Sequence, residues 1–222
     1  MSQQQNIACL GPQGSHSEAA ARHLFPRESI RLYHAIVGAV DAVCAKEADF
    51  GVVPIENSLE GSINITLDRL SGESDLCIVR ELVWRIRHHL ATQGGGSPIG
   101  VIMSHPQALA QCRETLRKFY PGVSLKETSS TSEAAALAAG DNRVAAISSA
   151  EAAKIYNLSI RQEDIQDNAV NYTRFVVLRP ARFAAPEKNA VKTSIVCELD
   201  GSKAGVLCEL LKSFAVRKIN LV

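Results

Sequence analysis

The densest set of chemically capable side chains lies between Ile165 and Arg179. Asp167, Asn168, Asn171, Thr173 and Arg174 crowd its first half, and the run Phe175-Val176-Val177-Leu178 follows at once. That β-branched and aromatic run reads as a buried strand. A hydroxyl and a guanidinium therefore stand at the mouth of a core element, where neither belongs without partners. The hydroxyl can donate to a departing oxygen, and the guanidinium can grip a carboxylate in its fork. Rigid strands with such groups at their ends commonly carry active sites. The alternative is a polar loop with Arg174 on the surface.

The elements that must position these groups come from a chain of 222 residues, enough for one large domain or two small ones. A hydrophobic share of 46% with 21% charged residues is that of a globular protein, and a formal net charge of +1 gives no electrostatic case for nucleic acid or an anionic membrane. The six cysteines are scattered without a C-x-x-C, which favours buried thiols in a reducing cytosol over disulfides or zinc. No apolar run reaches membrane-spanning length, and the polar start Met1-Ser2-Gln3-Gln4-Gln5 is unlike a signal peptide. The expectation is a cytoplasmic protein.

Strands are predicted at 7–10, 30–33 and 50–55, the last ended by Pro54, with helices over 17–25 and 36–48 between them. Polar residues follow the first and third strands: Gly11-Pro12-Gln13-Gly14-Ser15 with Ser17, and Glu56-Asn57-Ser58-Leu59-Glu60-Gly61. Residues 77–92 read as one long extended run crossing between two lobes. Its His88-His89 pair invites a metal or acid/base reading, but adjacent strand residues face opposite sides. Gly94-Gly95-Gly96-Ser97-Pro98 marks a lobe boundary or an exposed turn. A second α/β series follows, with strands near 100–103, 123–127 and 144–147. Its helices open at Ser104-His105-Pro106, the first running to about Tyr120, at Ser130-Thr131 with a Ser130/Glu133 capping box, and at Ser148-Ser149. Helix capping explains any one of these hydroxyls. Together, facing one another across a cleft, they suit a small polyanion such as a dicarboxylate. Beyond Pro180, a strand at 193–199, a helix at 204–214 and a strand starting at 219 need further sequence or a partner to cover them.

Several segments, in order, resemble the prephenate dehydratase family: Gly11-Pro12-Gln13-Gly14 with Ser17, Val53-Pro54-Ile55-Glu56-Asn57-Ser58 with Glu60-Gly61, Ser104-His105-Pro106-Gln107-Ala108-Leu109, Ser130-Thr131 with Ala134-Ala135, Ala145-Ala146-Ile147 with Ala152-Ala153, and Asn171-Tyr172-Thr173-Arg174-Phe175. The resemblance implies a cofactor-free lyase converting prephenate to phenylpyruvate, water and carbon dioxide. It implies an α/β fold of two lobes like the type 2 periplasmic binding proteins: a catalytic domain at 1–180, with lobe 1 at about 1–80 plus 161–180 and lobe 2 at about 81–160. A linker at 181–190 would follow.

By position, Thr173 resembles the family's essential threonine. Ser15, Ser17, Asn57, Ser58, Glu60, Ser104, Ser130, Thr131, Asn171, Arg174 and Phe175 are the implied substrate-binding set. His16 stands where the family usually has an aromatic residue. Residues 191–222 resemble the start of an ACT (ferredoxin-like α+β) regulatory domain in Gly205-Val206-Leu207, Leu210-Leu211, Phe214 and Arg217-Lys218-Ile219-Asn220-Leu221. There the usual G-A-L reads G-V-L, and the E-S-R-P segment expected beyond Leu221 lies outside the sequence. The resemblance further implies L-phenylalanine as an effector at Gly205, Val206, Leu207 and Asn220, and a homodimer or homotetramer. Arogenate dehydratase shares the motifs and remains an alternative, as does a non-catalytic anion-binding module.

Overall fold

The computed structural model describes residues 4–72, 75–94, 96–181 and 192–221, and divides into a unit spanning 1–185 and another spanning 186–222. The first unit holds two sheets. In chain order its elements are β1 (Asn6–Leu10), α1 (His16–Leu24), β2 (Ser29–Tyr33), α2 (Ile36–Cys44), β3 (Phe50–Asn57), β4 (Gly61–Ser62), α3 (Asn64–Gly72), β5 (Leu76–Arg85), β6 (His89–Thr92), β7 (Val101–Ser104), α4 (Pro106–Gln111), α5 (Arg113–Phe119), β8 (Ser124–Glu127), α6 (Thr131–Ala138), β9 (Val144–Ser148), α7 (Ala150–Ile155), β10 (Ser159–Gln162) and β11 (Tyr172–Pro180).

The first sheet runs β2-β1-β3-β11-β5 with β4 paired to β3, and the second runs β10-β6-β9-β7-β8. Parallel strands form one part of each, and antiparallel strands, β11 and β5 or β6 and β10, form the other. Alternation along the strands gives each sheet two apolar faces. Ile7, Cys9, Val52, Phe175 and Val177 pack with Ala20 and Ala21 of α1, while Ala8, Val53, Val176 and Leu178 pack with Val40 and Val43 of α2. In the second sheet, Leu90, Ile102 and Ile147 meet Leu109 and Leu116, and Ala91 and Ala146 meet the alanines of α6 and α7. Such small side chains let those helices lie close to the sheet.

Two expectations about the strands change. Pro54 does not end β3, which continues to Asn57. A register irregularity at Arg174/Phe175 opposes Pro54, and β1 stops pairing at Val52, so the missing N–H interrupts no ladder bond. The extended run at 77–92 is two strands in different sheets, joined through Ile86–His88. The glycine segment, Gly95 lying outside the described residues, joins β6 to β7 and so is a turn within the second sheet.

The helix expected to run to Tyr120 breaks at Cys112, which separates α4 from α5. The cause is distant in sequence: Asp167 accepts from the Glu114 and Thr115 N–H groups at 2.8 and 2.9 Å, capping a new helix start. Cys9 and Cys112 are buried free thiols pushed up to about 12 by burial, whereas Cys197 and Cys208 are exposed.

In the second unit α8 (Val206–Val216) is the helix among the described residues. The strands expected at 193–199 and from 219 are not formed among those residues, because no ladder partner is present to take their backbone groups. Leu207, Leu211 and Ile219 remain exposed. The linker expected at 181–190 lies, apart from Ala181, outside the described residues.

Candidate active site

The polar ends of β3 and β11 lie side by side because Thr173 pairs with Asn57 across the antiparallel ladder. The Leu59 and Glu60 N–H groups donate to Asn57 Oδ1 at 2.9 and 3.2 Å. This turn after β3 commits the other end of the amide to donating. Asn57 Nδ2 reaches Asn171 Oδ1 at 3.0 Å, the Tyr172 carbonyl at 3.2 Å and Thr173 Oγ1 at 3.0 Å. Thr173 therefore accepts from Asn57 and keeps its own O–H to direct elsewhere. Asn57, Asn171 and Thr173 are all buried. Ser58 ties the same strand ends together: its Oγ accepts from Tyr172 N–H at 2.9 Å and its N–H donates to Tyr172 O at 2.8 Å.

The network continues into the second lobe. Asn171 Nδ2 donates to Gln111 Oε1 at 3.0 Å, and the same oxygen lies 2.9 Å from His88 Nε2. Gln166 Oε1 accepts from His88 N–H at 2.9 Å, across the two chain segments that join the lobes. A cavity of about 130 Å³ opens beside these groups, lined by Leu59, Gln111, Gln166, Asp167 and Asn171 among others. Gln111, Gln166 and His88 were not among the expected site residues. Gln111 faces the hinge because α4 ends there, an ending dictated by Asp167.

On another side the first turn meets the second lobe. Ser132 Oγ donates to the Gln13 carbonyl, and Ser149 Oγ donates to the Gly14 carbonyl at 3.0 Å. Gly14 has φ +82°, and a Cβ there would lie 2.9 Å from both Ala152 Cα and Ser132 Oγ. The two lobes are thus closed against each other along this seam. His16 follows directly, its ring edge-on to His88 with centroids 5.9 Å apart and both its nitrogens shielded without a partner. Burial, then the neighbouring His88 and His89, lowers His16 from 6.5 to about 3. Burial lowers His88 as well, against the opposing effect of its Gln111 bond. In each case burial favours the neutral ring.

The remaining expected residues scatter. Ser15 caps α1, and Ser17 is buried in its first turn. Ser104 is fully buried with its Oγ on the Ile147 carbonyl at 2.7 Å. Ser130 caps α6, accepting from Glu133 N–H at 3.0 Å. The reciprocal half of the expected capping box is displaced by one residue, since Glu133 accepts from Ser129 N–H and Oγ, both at 2.6 Å. Thr131 is the first residue of α6. Glu60 contributes its backbone N–H while the residue itself is exposed. Phe175 is core, 1% exposed. Arg174 projects to the opposite strand face from Thr173. There it pairs with Glu56 at 3.0 Å and Glu81 at 3.8 Å, so its charge is already compensated.

The family model described as Prephenate dehydratase matches residues 7–182. A Prephenate dehydratase of Lactococcus lactis subsp. cremoris is 37% identical over 218 residues, covering 97% of this chain and 78% of that protein. One from Methanocaldococcus jannaschii is 44% identical over 174 residues, covering 77% of this chain and 62% of that protein. Among solved structures, the prephenate dehydratase of Arthrobacter aurescens in complex with L-Phe superposes with a TM-score of 0.81 at 30% identity, covering 98% of this chain and 74% of that one. Motif order, two-sheet architecture and these similarities agree: the chain belongs to the prephenate dehydratase family.

Proposed function

We propose that this chain converts prephenate to phenylpyruvate, with Thr173 as the residue that meets the departing hydroxyl. The bond from the ring to its carboxylate breaks, releasing carbon dioxide and sending its electron pair into the ring. The ring C–O bond breaks at the opposite carbon, the oxygen leaving with its pair and taking up a proton to become water. Aromatisation drives both. What the protein must supply is alignment of the two breaking bonds and a donor at the leaving oxygen.

One observation carries this reading: Thr173 Oγ1 accepts from Asn57 Nδ2 at 3.0 Å, which leaves the threonine proton for the substrate. The surroundings favour the same chemistry. A cation clamped on the ring carboxylate would hold back decarboxylation, and the side chains that reach Thr173 are the amide of Asn57 and, through it, that of Asn171. Arg174, engaged by Glu56 and Glu81, does not add a free charge. In a closed, low-dielectric cleft, neutral donors of this kind are strong enough to orient a dianion. Asn171 lines the adjoining cavity, and Ser58 ties the strand ends that carry Thr173; in this reading Ser15, Ser17, Ser104, Ser130 and Thr131 serve the substrate through the turns and helix starts they hold. The reaction needs no cofactor and belongs to a cytoplasmic biosynthetic enzyme making phenylalanine.

Residues 191–222 are, in the same reading, the opening of an ACT module that takes L-phenylalanine around Gly205, Val206, Leu207 and Asn220 in a homo-oligomer. The exposed apolar side chains of α8 support it, since they await a covering sheet or copy. The test is phenylpyruvate formation from prephenate by the purified chain, with arogenate run in parallel and L-phenylalanine added to each. Product from prephenate establishes the reaction. Phenylalanine from arogenate alone reassigns the substrate, and turnover of neither overturns the reading.

A further inference from the structure

The hydrogen bonds at the hinge have a direction, and it can be followed from one end to the other. It starts at Leu59 and Glu60, whose backbone N–H groups can only donate. Asn57 must therefore accept through Oδ1 and donate through Nδ2. Asn171, receiving on Oδ1, must donate through Nδ2, and Gln111 must receive on Oε1. An oxygen that serves as acceptor leaves His88 one option, since its Nε2 lies 2.9 Å away: the proton is on Nε2, and Nδ1 is bare. Nδ1 is in fact buried without any partner, and the residue is only 4% exposed. His88 is itself fixed at both ends of its peptide, by Gln166 Oε1 on its N–H and Ile165 N–H on its carbonyl.

We propose that His88 is a positioning residue for the reaction: as the Nε2–H tautomer it terminates the amide chain Gln111–Asn171–Asn57 and so fixes the direction in which the Thr173 hydroxyl donates. Without a donor at His88, Gln111 loses one of the two bonds that hold its oxygen inward. Its amide can then flip and Asn171 loses its acceptor, so the Asn57 amide, still oriented by the Leu59 and Glu60 N–H groups, is less firmly anchored beside Thr173. The effect falls on the orientation of one proton, not on the space available to the substrate. His88 acts through three other side chains, so its signature is in kcat.

The chemistry of the imidazole gives a test with internal controls. Glutamine places an N–H close to the position of histidine Nε2, whereas asparagine places its N–H near Nδ1. His88→Leu is expected to lower kcat about tenfold, the worth of one buried hydrogen bond, with KM within about threefold. His88→Gln is expected to restore kcat to within about threefold of wild type, and His88→Asn to behave as His88→Leu. Equal kcat in all the variants, or rescue by asparagine and not by glutamine, overturns the proposal. A loss common to all of them, carried by KM, marks a merely structural residue and also overturns it.

The kinetic arm rests on the prephenate reaction proposed above; a second arm does not. Ring 15N shifts of the labelled full chain, with His88 assigned by its absence in His88→Gln, report the tautomer directly. Neutral Nε2–H from pH 6 to 8 is expected, and Nδ1–H or an imidazolium in that range sinks the proposal. Absence of turnover by the wild-type chain strikes the proposed reaction and leaves this spectrum to decide the tautomer.

Discussion

The hinge side of the cleft and its seam side both gather polar groups at the ends of strands and helices, but they pair them differently. At the hinge, side chain meets side chain: Asn57 with Thr173 and Asn171, Asn171 with Gln111, Gln111 with His88. At the seam, side chain meets backbone: Ser132 and Ser149 hold the carbonyls of Gln13 and Gly14, and Ser149 also accepts from Ala152 N–H. Side chain to side chain bonds are only about a tenth of those in a folded protein, so a continuous run of them is unusual. A hydroxyl on a carbonyl closes a gap. A run of amides transmits direction.

The comparison predicts graded losses. Thr173→Ala should lower kcat by roughly two to four orders of magnitude with a small change in substrate affinity, read by steady-state and binding assays together. A seam substitution with an equal effect on kcat would erase the distinction between the two sides. Gly14→Ala is the severe change at the seam, because a Cβ there meets the Ala152 backbone at a positive φ. A cost of about 2 kcal/mol in closing, roughly thirtyfold, should appear as a raised KM with kcat retained at saturation.

The next effect comes from pH. His16 is lowered from 6.5 to about 3 in the closed cleft by burial and then by His88 and His89, so closure favours its neutral form. Closure is then at full strength above about 6.5 and weakens as pH falls below it. Between pH 7.5 and 5.5, KM should rise about tenfold, and His16→Gln should flatten the profile. A slope that persists in the variant would assign the proton elsewhere. The smallest effect is expected of Ser149→Ala, which removes a helix cap and one seam bond. About 1 kcal/mol of stability should go, seen as a fall of a few degrees in the thermal midpoint.

Much of this was legible in the residues. Alternating apolar strands and hydroxyl-capped helices foreshadow both sheets, with Ser130 and Ser149 at the helix starts they suggest, whereas the first helix is capped by Ser15, two residues ahead of the start read at Ser17. Asn57, Asn171 and Thr173, read as polar groups at strand ends, do come together. Less legible were features set by distant partners. Nothing near Cys112 signals a helix break, because Asp167 makes it from across the hinge. Without that break Gln111 has no reason to stand out. Arg174 looked free because Glu56 and Glu81, its partners, lie on other strands. His88 invited a metal or acid/base reading, where adjacency to His89 counts against it, and not that of a hydrogen-bond terminus, where adjacency is irrelevant.

The amide chain begins on two peptide groups, and this bears on how the site tolerates change. The N–H of Leu59 and of Glu60 is the same whatever side chain those residues carry. Whatever else those side chains do, the polarity of everything downstream is inherited intact from the two peptide groups. Proline alone withdraws the donor. A glance at side chains would pass over the two positions where the site is most simply reversed.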